Sequence, residues 1–436
     1  MNGLETETAR QMFEAGIARF ESGDYLGAQD SFEAALQLAP ERPALLNNLA
    51  ACLIRTGDSK RALDLSRRAA AIAPDNADAW VNIAASLCAE KKFAAAREAA
   101  KKAIALNPRD SDAWYHVGYC CFALGEAEDA LHAYDKALER DPLLIDAIFG
   151  IGTILATLKH RYAALLCFAK CIDIDPAHAA SHFSRATLLQ DLVRHEAAIA
   201  AYQEALRCGH PDESDIHYSL ASLGIGETPS RPPASYVKRL FDSYAPNFES
   251  HLVQTLKYRI PETINDAFFR FGMRNVRFLD LGCGTGLVGN VVRDRCSRLV
   301  GVDLSERMLG IAREKGCYDE LHAADLVEYL KVTTQTFDTI CATDVLNYLG
   351  DLDDVISACF RVLGQGGVFL FTIETPPADQ NCDFALRSTM RYTHSQAYCE
   401  KLARQSGFSE IEAIPTVLRI ESGEPVSALC LALIKK

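Results

Sequence analysis

An all-α array of paired helices followed by a doubly wound α/β sheet is the fold class these 436 residues predict. Three observations carry it. Prolines recur every 34 residues through the first half, at Pro40, Pro74, Pro108, Pro142 and Pro176. All periodicity then breaks at Gly224-Ile225-Gly226, Pro229, Pro232 and Pro233. From Val276 onward apolar strand-like runs alternate with helical segments, and the first run ends in a glycine-rich turn. The expected boundaries are a repeat region over 1–223, with about six repeats and a capping helix, a linker over 224–235, and a sheet domain over 236–436.

The repeat has a physical frame. Counting back from each proline, a small residue recurs at Ala28, Ala62, Ala96, Ala130 and Ala164, and a second at Ala35, Ala69, Ala103, Ala137 and Cys171. Between them stand Phe32, Tyr134, Phe168 and Tyr202, with Ser66 and Ala100 as smaller substitutes, and Trp80 and Trp114 keep the same period. Small residues let two helices approach, an aromatic ring fills the space beside them, and proline ends the second helix. One such unit cannot bury its own apolar face, but stacked units form a solenoid. The frame resembles the tetratricopeptide repeat over about residues 9–210, with a sixth copy drifting by one to Pro211. Glu213 to Leu223 reads as one more amphipathic helix, a cap on the array.

The resemblance implies a concave groove and a protein partner or protein substrate in it. Asn48, Asn82 and His116 stand in register on the helices that would line it. Two readings stay open: a polar ladder for an extended peptide, or local bridging inside the array, the commoner fate of such side chains. The lysine and asparagine set with which some tetratricopeptide domains clamp a C-terminal carboxylate is not visible, since Asn47/Ala51 and Val81/Ala85 occupy the relevant places.

Composition narrows the partners. Lys and Arg number 45 against 58 Asp and Glu, a formal charge of −13 that repels phosphate backbones and anionic lipid, so neither nucleic acid nor membrane is expected. The 15 cysteines form no C-x-x-C pair or Cys/His knuckle, so no metal is expected and reduced thiols in a cytoplasmic protein are. The N-terminal residues are polar and acidic rather than signal-like. The longest near-apolar run, Ala147 to Leu158, is too short to span a bilayer.

The chemistry belongs to the second half. Strands are expected at Val276–Leu281, Arg298–Asp303, Glu320–Ala323, Phe337–Ala342 and Val368–Glu374, with a closing hairpin from Glu410–Ile414 and Ser427–Leu433. The first runs into Asp280-Leu281-Gly282-Cys283-Gly284-Thr285-Gly286, where glycines permit a tight turn and let a ligand lie against bare backbone at a helix N-terminus. Asp303 ends the second strand 21 residues after Gly282, where a carboxylate can accept from ribose hydroxyls. Together they point to a nucleoside-containing cofactor. Gly284-x-Gly286-x-x-Gly289 keeps a dinucleotide open on spacing. Asp280 weighs against it, because a carboxylate there suits an ammonium and a sulfonium and repels a pyrophosphate.

The Leu279–Gly286 string resembles the first motif of class I S-adenosylmethionine-dependent methyltransferases, and the likeness extends over roughly residues 236–436, implying their Rossmann-like sheet. The resemblance implies that Asp280, Gly282, Gly284 and Gly286 form the cofactor turn and that Asp303 holds the ribose diol. It implies Leu304 and Met308 against the adenine, Asp325 accepting the adenine amino hydrogen, and the Leu326 N–H near the ring. Thr343-Asp344-Val345-Leu346 would close the fourth strand where the transferable methyl points. A repeat array followed by Tyr-Val-x-x-Leu-Phe-Asp-x-Tyr-Ala (Tyr236–Ala245) is similar to a family of bacterial repeat-containing methyltransferases.

Methyl transfer from a sulfonium needs an aligned nucleophile, excluded water and, for a protonated acceptor, a base. Candidates on the acceptor side are Asp344, Tyr348 and His394, the histidine because its ordinary pKa lies near neutrality. Tyr236, Phe241, Tyr244 and Phe248 read first as domain-packing surface, with Tyr236 or Tyr244 the choice for closing over cofactor. The expected function is therefore methyl transfer to an unidentified acceptor, macromolecule or metabolite, with the repeats mediating protein interaction. Two alternatives stay open: an interaction scaffold whose catalytic domain is inactive, and a nicotinamide-dependent oxidoreductase.

Overall fold

The computed structural model describes residues 3–377, 382–421 and 423–436. The chain divides into two compact units, Met1–His210 and Pro211–Lys436.

In the first unit the described helices run in consecutive pairs, from Gly3–Glu21 with Tyr25–Leu38 to Ala179–Asp191 with His195–Arg207. Asp24, Asp58, Asn76, Asp110 and His178 cap helix starts by accepting backbone N–H bonds. Both small-residue registers are fully buried, as are Phe32, Tyr134, Phe168 and Tyr202. Each of these rings has a counterpart 16 residues earlier. Gly16 precedes Phe32, Gly118 precedes Tyr134 and Gly152 precedes Phe168, and a Cβ at these glycines would meet the ring at 2.5, 2.7 and 2.7 Å. Where the later residue shrinks to Ser66 or Ala100, the earlier one grows to Ala50 or Ala84. The trade runs in the compensating direction, though one methyl fills only part of the space that a ring leaves. Ala186 opposite Tyr202 departs from this trade.

The tryptophan register is also structural. Trp80 Nε1 donates to Pro74 O at 3.1 Å and Trp114 Nε1 to Pro108 O at 3.2 Å. His182 takes the same place, its Nε2 lying 3.0 Å from Pro176 O. Glu204 and Cys208 bring a carboxylate and a thiol to within 4.8 Å of that ring, but the imidazole is already tying a helix to the repeat's proline.

The groove ladder is partly bonded within the array. Asn48 Nδ2 donates to Ala44 O, and Asn82 Nδ2 bridges to the Asn47 carbonyl and side chain at 3.2 and 3.0 Å. His116 Nδ1 is buried without a partner, and burial pushes its pKa down to about 4.

The second unit begins earlier than the expected boundary. Helix Glu213–Ser222 belongs to it: Tyr218, 1% exposed, donates its hydroxyl to Met390 O at 3.0 Å, and buried Asp215 pairs with Arg239. The stretch expected as a linker is bonded to the same unit, through Tyr392 Oη to Pro229 O at 2.7 Å and the Gly350 N–H to Ser230 O at 2.9 Å.

Strands β1 (Val276–Leu281), β2 (Cys296–Asp303), β3 (Glu320–Ala323), β4 (Phe337–Ala342) and β5 (Leu363–Glu374) are parallel, and β8 (Glu410–Glu421) and β9 (Glu424–Ile434) form the expected closing hairpin. Sheet order is β3-β2-β1-β4-β5-β9-β8, with β9 antiparallel to β5. A separate pair, β6 (Phe384–Leu386) and β7 (Tyr392–His394), carries no sequence signal long enough to be read as strands. Alternate strand residues feed two cores. Leu279, Val300, Ile340 and Phe369 face one, and Phe278, Leu299, Cys341 and Leu370 face the other. No helix among the described residues is long and apolar enough to cross a membrane.

Candidate functional site

Strand order reverses between β1 and β4, and in open α/β sheets ligands bind at the carboxyl ends of strands beside such a switch. A cavity of about 620 Å³ opens there, a size suited to one drug-sized molecule. Its floor is the turn after β1, where Gly282, Gly284 and Gly286 adopt φ of 69°, 53° and 84°. A Cβ on Gly282 would come within 2.5 Å of Val345 at the end of β4, so two loops meet only because that position is bare. Gly286 stands behind the cavity wall, where a Cβ would meet Tyr318 at 2.9 Å.

Asp280 is 1% exposed, and burial pushes its pKa up to about 7. The Tyr318 hydroxyl donates to it at 2.6 Å and opposes that rise, while the field of Asp303 adds to it. Asp303 accepts from the Gly284 N–H at 2.9 Å and the Ser305 N–H at 2.8 Å. Burial raises its pKa and these bonds oppose the rise. Leu304, Met308, Asp325 and Leu326 lie along the same wall. Asp325 Oδ1 also caps the following helix, accepting from Val327 N and Glu328 N at 2.9 and 3.1 Å.

The other half of the cavity lies after β4. Thr343 lines it, and Asp344 does so with φ of 53°, a left-handed conformation that aspartate adopts more readily than most residues other than glycine. Its N–H donates to Thr372 Oγ1, and its Oδ1 accepts from Asn347 Nδ2 at 2.7 Å and Arg419 at 2.9 Å. Arg419, 3% exposed on β8, also pairs with Glu374 and with Glu421 at 2.7 Å, and Arg391 pairs with the same two glutamates. No motif announces this network. Arg419 follows Asp344 by 75 residues on a strand whose pattern reads only as apolar alternation.

Tyr348 faces the cavity with its pKa pushed up to about 12 by burial. His394 does not join it. The imidazole, on the last residue of β7, is fully buried, with Nε2 3.0 Å from Gly350 O, and burial lowers its pKa to about 4. The expectation of a base at His394 therefore gives way to a packing role: a neutral ring held by a carbonyl, outside the cavity, has no route to an acceptor.

A roof comes from the segment ahead of the sheet. Helix Ala234–Tyr244 buries none of its residues, and its apolar face, with Tyr236, Phe241 and Tyr244, turns toward the cavity. Phe248 and His251 extend that roof through a π-helical turn, Ser250–Thr255. The aromatic set expected first as packing surface thus lines the cavity. Asp242 fastens the helix by accepting from Ser305 Oγ at 2.6 Å, two residues from Asp303.

Comparison with known proteins agrees with this layout. A family model described as methyltransferase domain matches residues 279–371, and three tetratricopeptide-repeat models match 19–87, 84–144 and 145–178. The chain joins tetratricopeptide repeats to a methyltransferase domain. Ubiquinone biosynthesis O-methyltransferases of Pseudomonas fluorescens and Pseudomonas aeruginosa are 30% and 29% identical over 27% and 31% of this chain. The chain spans 53% and 62% of those relatives' lengths. A thermophilic tetratricopeptide protein from Thermus thermophilus is similar over 42% of this chain and 98% of its own, at 20% identity and a TM-score of 0.38. Magnesium protoporphyrin IX methyltransferase from Synechocystis, solved with bound SAM, is similar over 47% and 97%, at 17% identity and a TM-score of 0.36. Within the methyltransferase domain, the matched span holds Asp280, Asp303, Asp325 and Asp344, whereas Arg391, Arg419 and the roof lie outside it.

Proposed function

We propose that this protein transfers a methyl group from S-adenosylmethionine to an acceptor, and that the repeat array holds a protein partner or the protein that bears the acceptor. The observation that carries the reading is the pair Asp280 and Asp303, at the carboxyl ends of adjacent strands on one cavity floored by bare glycine backbone. The donor set fits that cofactor. Asp303 keeps lone pairs for a ribose diol beyond its two backbone bonds. Thr285 Oγ1, buried beside the glycine turn, has no partner in the protein. A carboxylate lining attracts an ammonium and a sulfonium and repels the pyrophosphate of a nicotinamide dinucleotide.

The cofactor supplies the reactive methyl carbon. The chain's own residues do the rest. Asp303 fixes the nucleoside, Asp280 meets the amino-acid end, and Leu304 and Met308 give an apolar wall to the base. Tyr236 and Phe241 cover the cavity and exclude water. Asp344, held by Arg419 and Asn347, fixes the orientation of the acceptor at the end of β4.

Calorimetry tests the reading. S-adenosylmethionine should bind the wild-type chain, and Asp303→Ala should weaken binding by about tenfold to a hundredfold, since hydrogen bonds to a charged group contribute roughly 1.5–3 kcal/mol. No heat with this cofactor, or a larger rise in melting temperature with NAD, would favour the scaffold or the oxidoreductase.

A further inference from the structure

The methyltransferase reading leaves one pair of cavity residues without a task. Tyr244, on the last turn of the roof helix, hydrogen-bonds through its hydroxyl to His251 Nδ1 in the adjoining π-helical turn. The rings lie edge to face, 5.6 Å apart, and both line the cavity. Tyr244 is half-buried and His251 is exposed, so the pair runs from the cavity to solvent. π-Helical turns are frequent at functional sites, where the extra residue re-aims a side chain at the cost of helix geometry. Around Tyr244 stand Asp344 at the end of β4 and Arg419 and Glu421 on β8, so the phenol faces the acceptor half of the cavity. Glu249 and Lys315, paired with each other, flank the base of the same turn.

The other candidates for receiving a proton are committed elsewhere. Burial raises the pKa of Asp344 and Arg419 opposes the rise, but the Asp344 Oδ1 already accepts from Asn347 and Arg419 and, among the described residues, has no path to bulk water through a second titratable group. His394, at the end of β7, is fully buried against the Gly350 carbonyl. Tyr348 and Tyr258 are buried phenols with no histidine bonded to them among the described residues.

We propose that Tyr244 and His251 form a proton relay on the acceptor side, and that the acceptor is a group arriving with a removable proton, a hydroxyl or an ammonium. This rests on the methyltransferase reading. As the acceptor atom bonds to the methyl carbon and the carbon–sulfur bond breaks, its proton passes to the Tyr244 oxygen. The phenol's own proton passes to His251 Nδ1, and the imidazolium loses it to water at the exposed edge. The sulfur keeps the bonding pair, and Tyr244 ends as it began.

Methyl-labelled S-adenosylmethionine and fractionated cell extract, with the full chain, test this. His251→Gln and Tyr244→Phe should each lower label transfer about a hundredfold or more, the usual range for a general base. Imidazole should restore part of the rate to His251→Ala. Calorimetry should give all three variants a cofactor Kd within about threefold of wild type, because the relay faces the acceptor. Transfer at wild-type rates in His251→Gln overturns the relay alone. So does a loss that only tracks weakened cofactor binding and resists imidazole, since that marks a roof contact. No transfer by the wild type to any fraction overturns the methyltransferase reading and the relay with it.

Discussion

A buried carboxylate with its pKa near 7 makes Asp280 the residue on which the donor half turns. Its folded value lies above the ordinary 3.8, so between about pH 4 and 7 the folded state holds a proton that the unfolded state has lost. Asp280 therefore detracts from stability increasingly as pH rises from about 4 to 7, the reverse of a salt-bridged carboxylate. A cationic ligand reverses this by favouring the charged form. Affinity for S-adenosylmethionine should rise from pH 6 to 8 and then level, with proton release in calorimetry that depends on buffer ionisation enthalpy below pH 7. Asp280→Asn should bind more weakly and show a flat profile. Packing in the array gives a second residue-scale prediction. Gly118→Ala adds a methyl 2.7 Å from the Tyr134 ring. Gly-to-Ala in a helix should gain about 1 kcal/mol, but overpacking costs roughly 1–3, so the variant should melt lower. Gly118→Ala with Tyr134→Ser copies the Ala50–Ser66 pair and should recover stability beyond the sum of the single changes, a coupling that a double-mutant cycle measures.

At the scale of elements, helix Ala234–Tyr244 has no buried residue of its own, so its attachment decides how well the cavity is covered. On the cofactor side the attachment is Asp242 to Ser305 Oγ, beside the Arg239 and Ser235 bonds to Asp215, and Ser305 also caps the helix Glu306–Lys315 by accepting from Met308 N at 3.2 Å. The two partners should separate in experiment. Asp242→Ala should weaken cofactor binding by about tenfold with little change in melting temperature. Ser305→Ala should weaken binding comparably and also cost about 1 kcal/mol of stability through the lost cap. Equal stability losses in both would mean that the bond holds the fold and not the roof. The sequence makes some of this legible and hides the rest for physical reasons. The glycine turn and Asp303 were readable because a single strand–helix–strand unit supplies both at a fixed separation in the chain. All the motif-borne strands were readable from their apolar runs. Arg419, Arg391 and Glu374 come from separate elements brought together only by sheet order, and nothing local marks them. His394 misled because a titratable side chain between threonine and serine looks alike whether it faces a cavity or a buried carbonyl.

For the whole molecule, the division between units decides what can be separated. A 34-residue period ends near Pro211, and helical periodicity alone assigns Glu213–Leu223 to the array as a cap. Its side chains say otherwise. Tyr218 is 1% exposed against Met390 and Tyr392, Asp215 is 1% exposed against Arg239, and Ser235 Oγ reaches Asp215 at 3.4 Å, all within Pro211–Lys436. Removing the helix would expose the Tyr392 ring and leave the Arg239 roof contact without its buried carboxylate. Loss of one large buried aromatic alone costs about 3–5 kcal/mol, a large part of a domain's roughly 5–15. Two truncations should therefore behave differently. The chain from 211 to 436 should fold cooperatively and bind S-adenosylmethionine with a Kd close to that of the full protein. The chain from 224 to 436, cut at the boundary that periodicity suggests, should melt many degrees lower, expose apolar surface to a fluorescent dye and bind the cofactor weakly. If both pieces fold and bind alike, the helix is a cap carried along by the second unit, and Tyr218 and Asp215 contribute nothing to holding the roof helix.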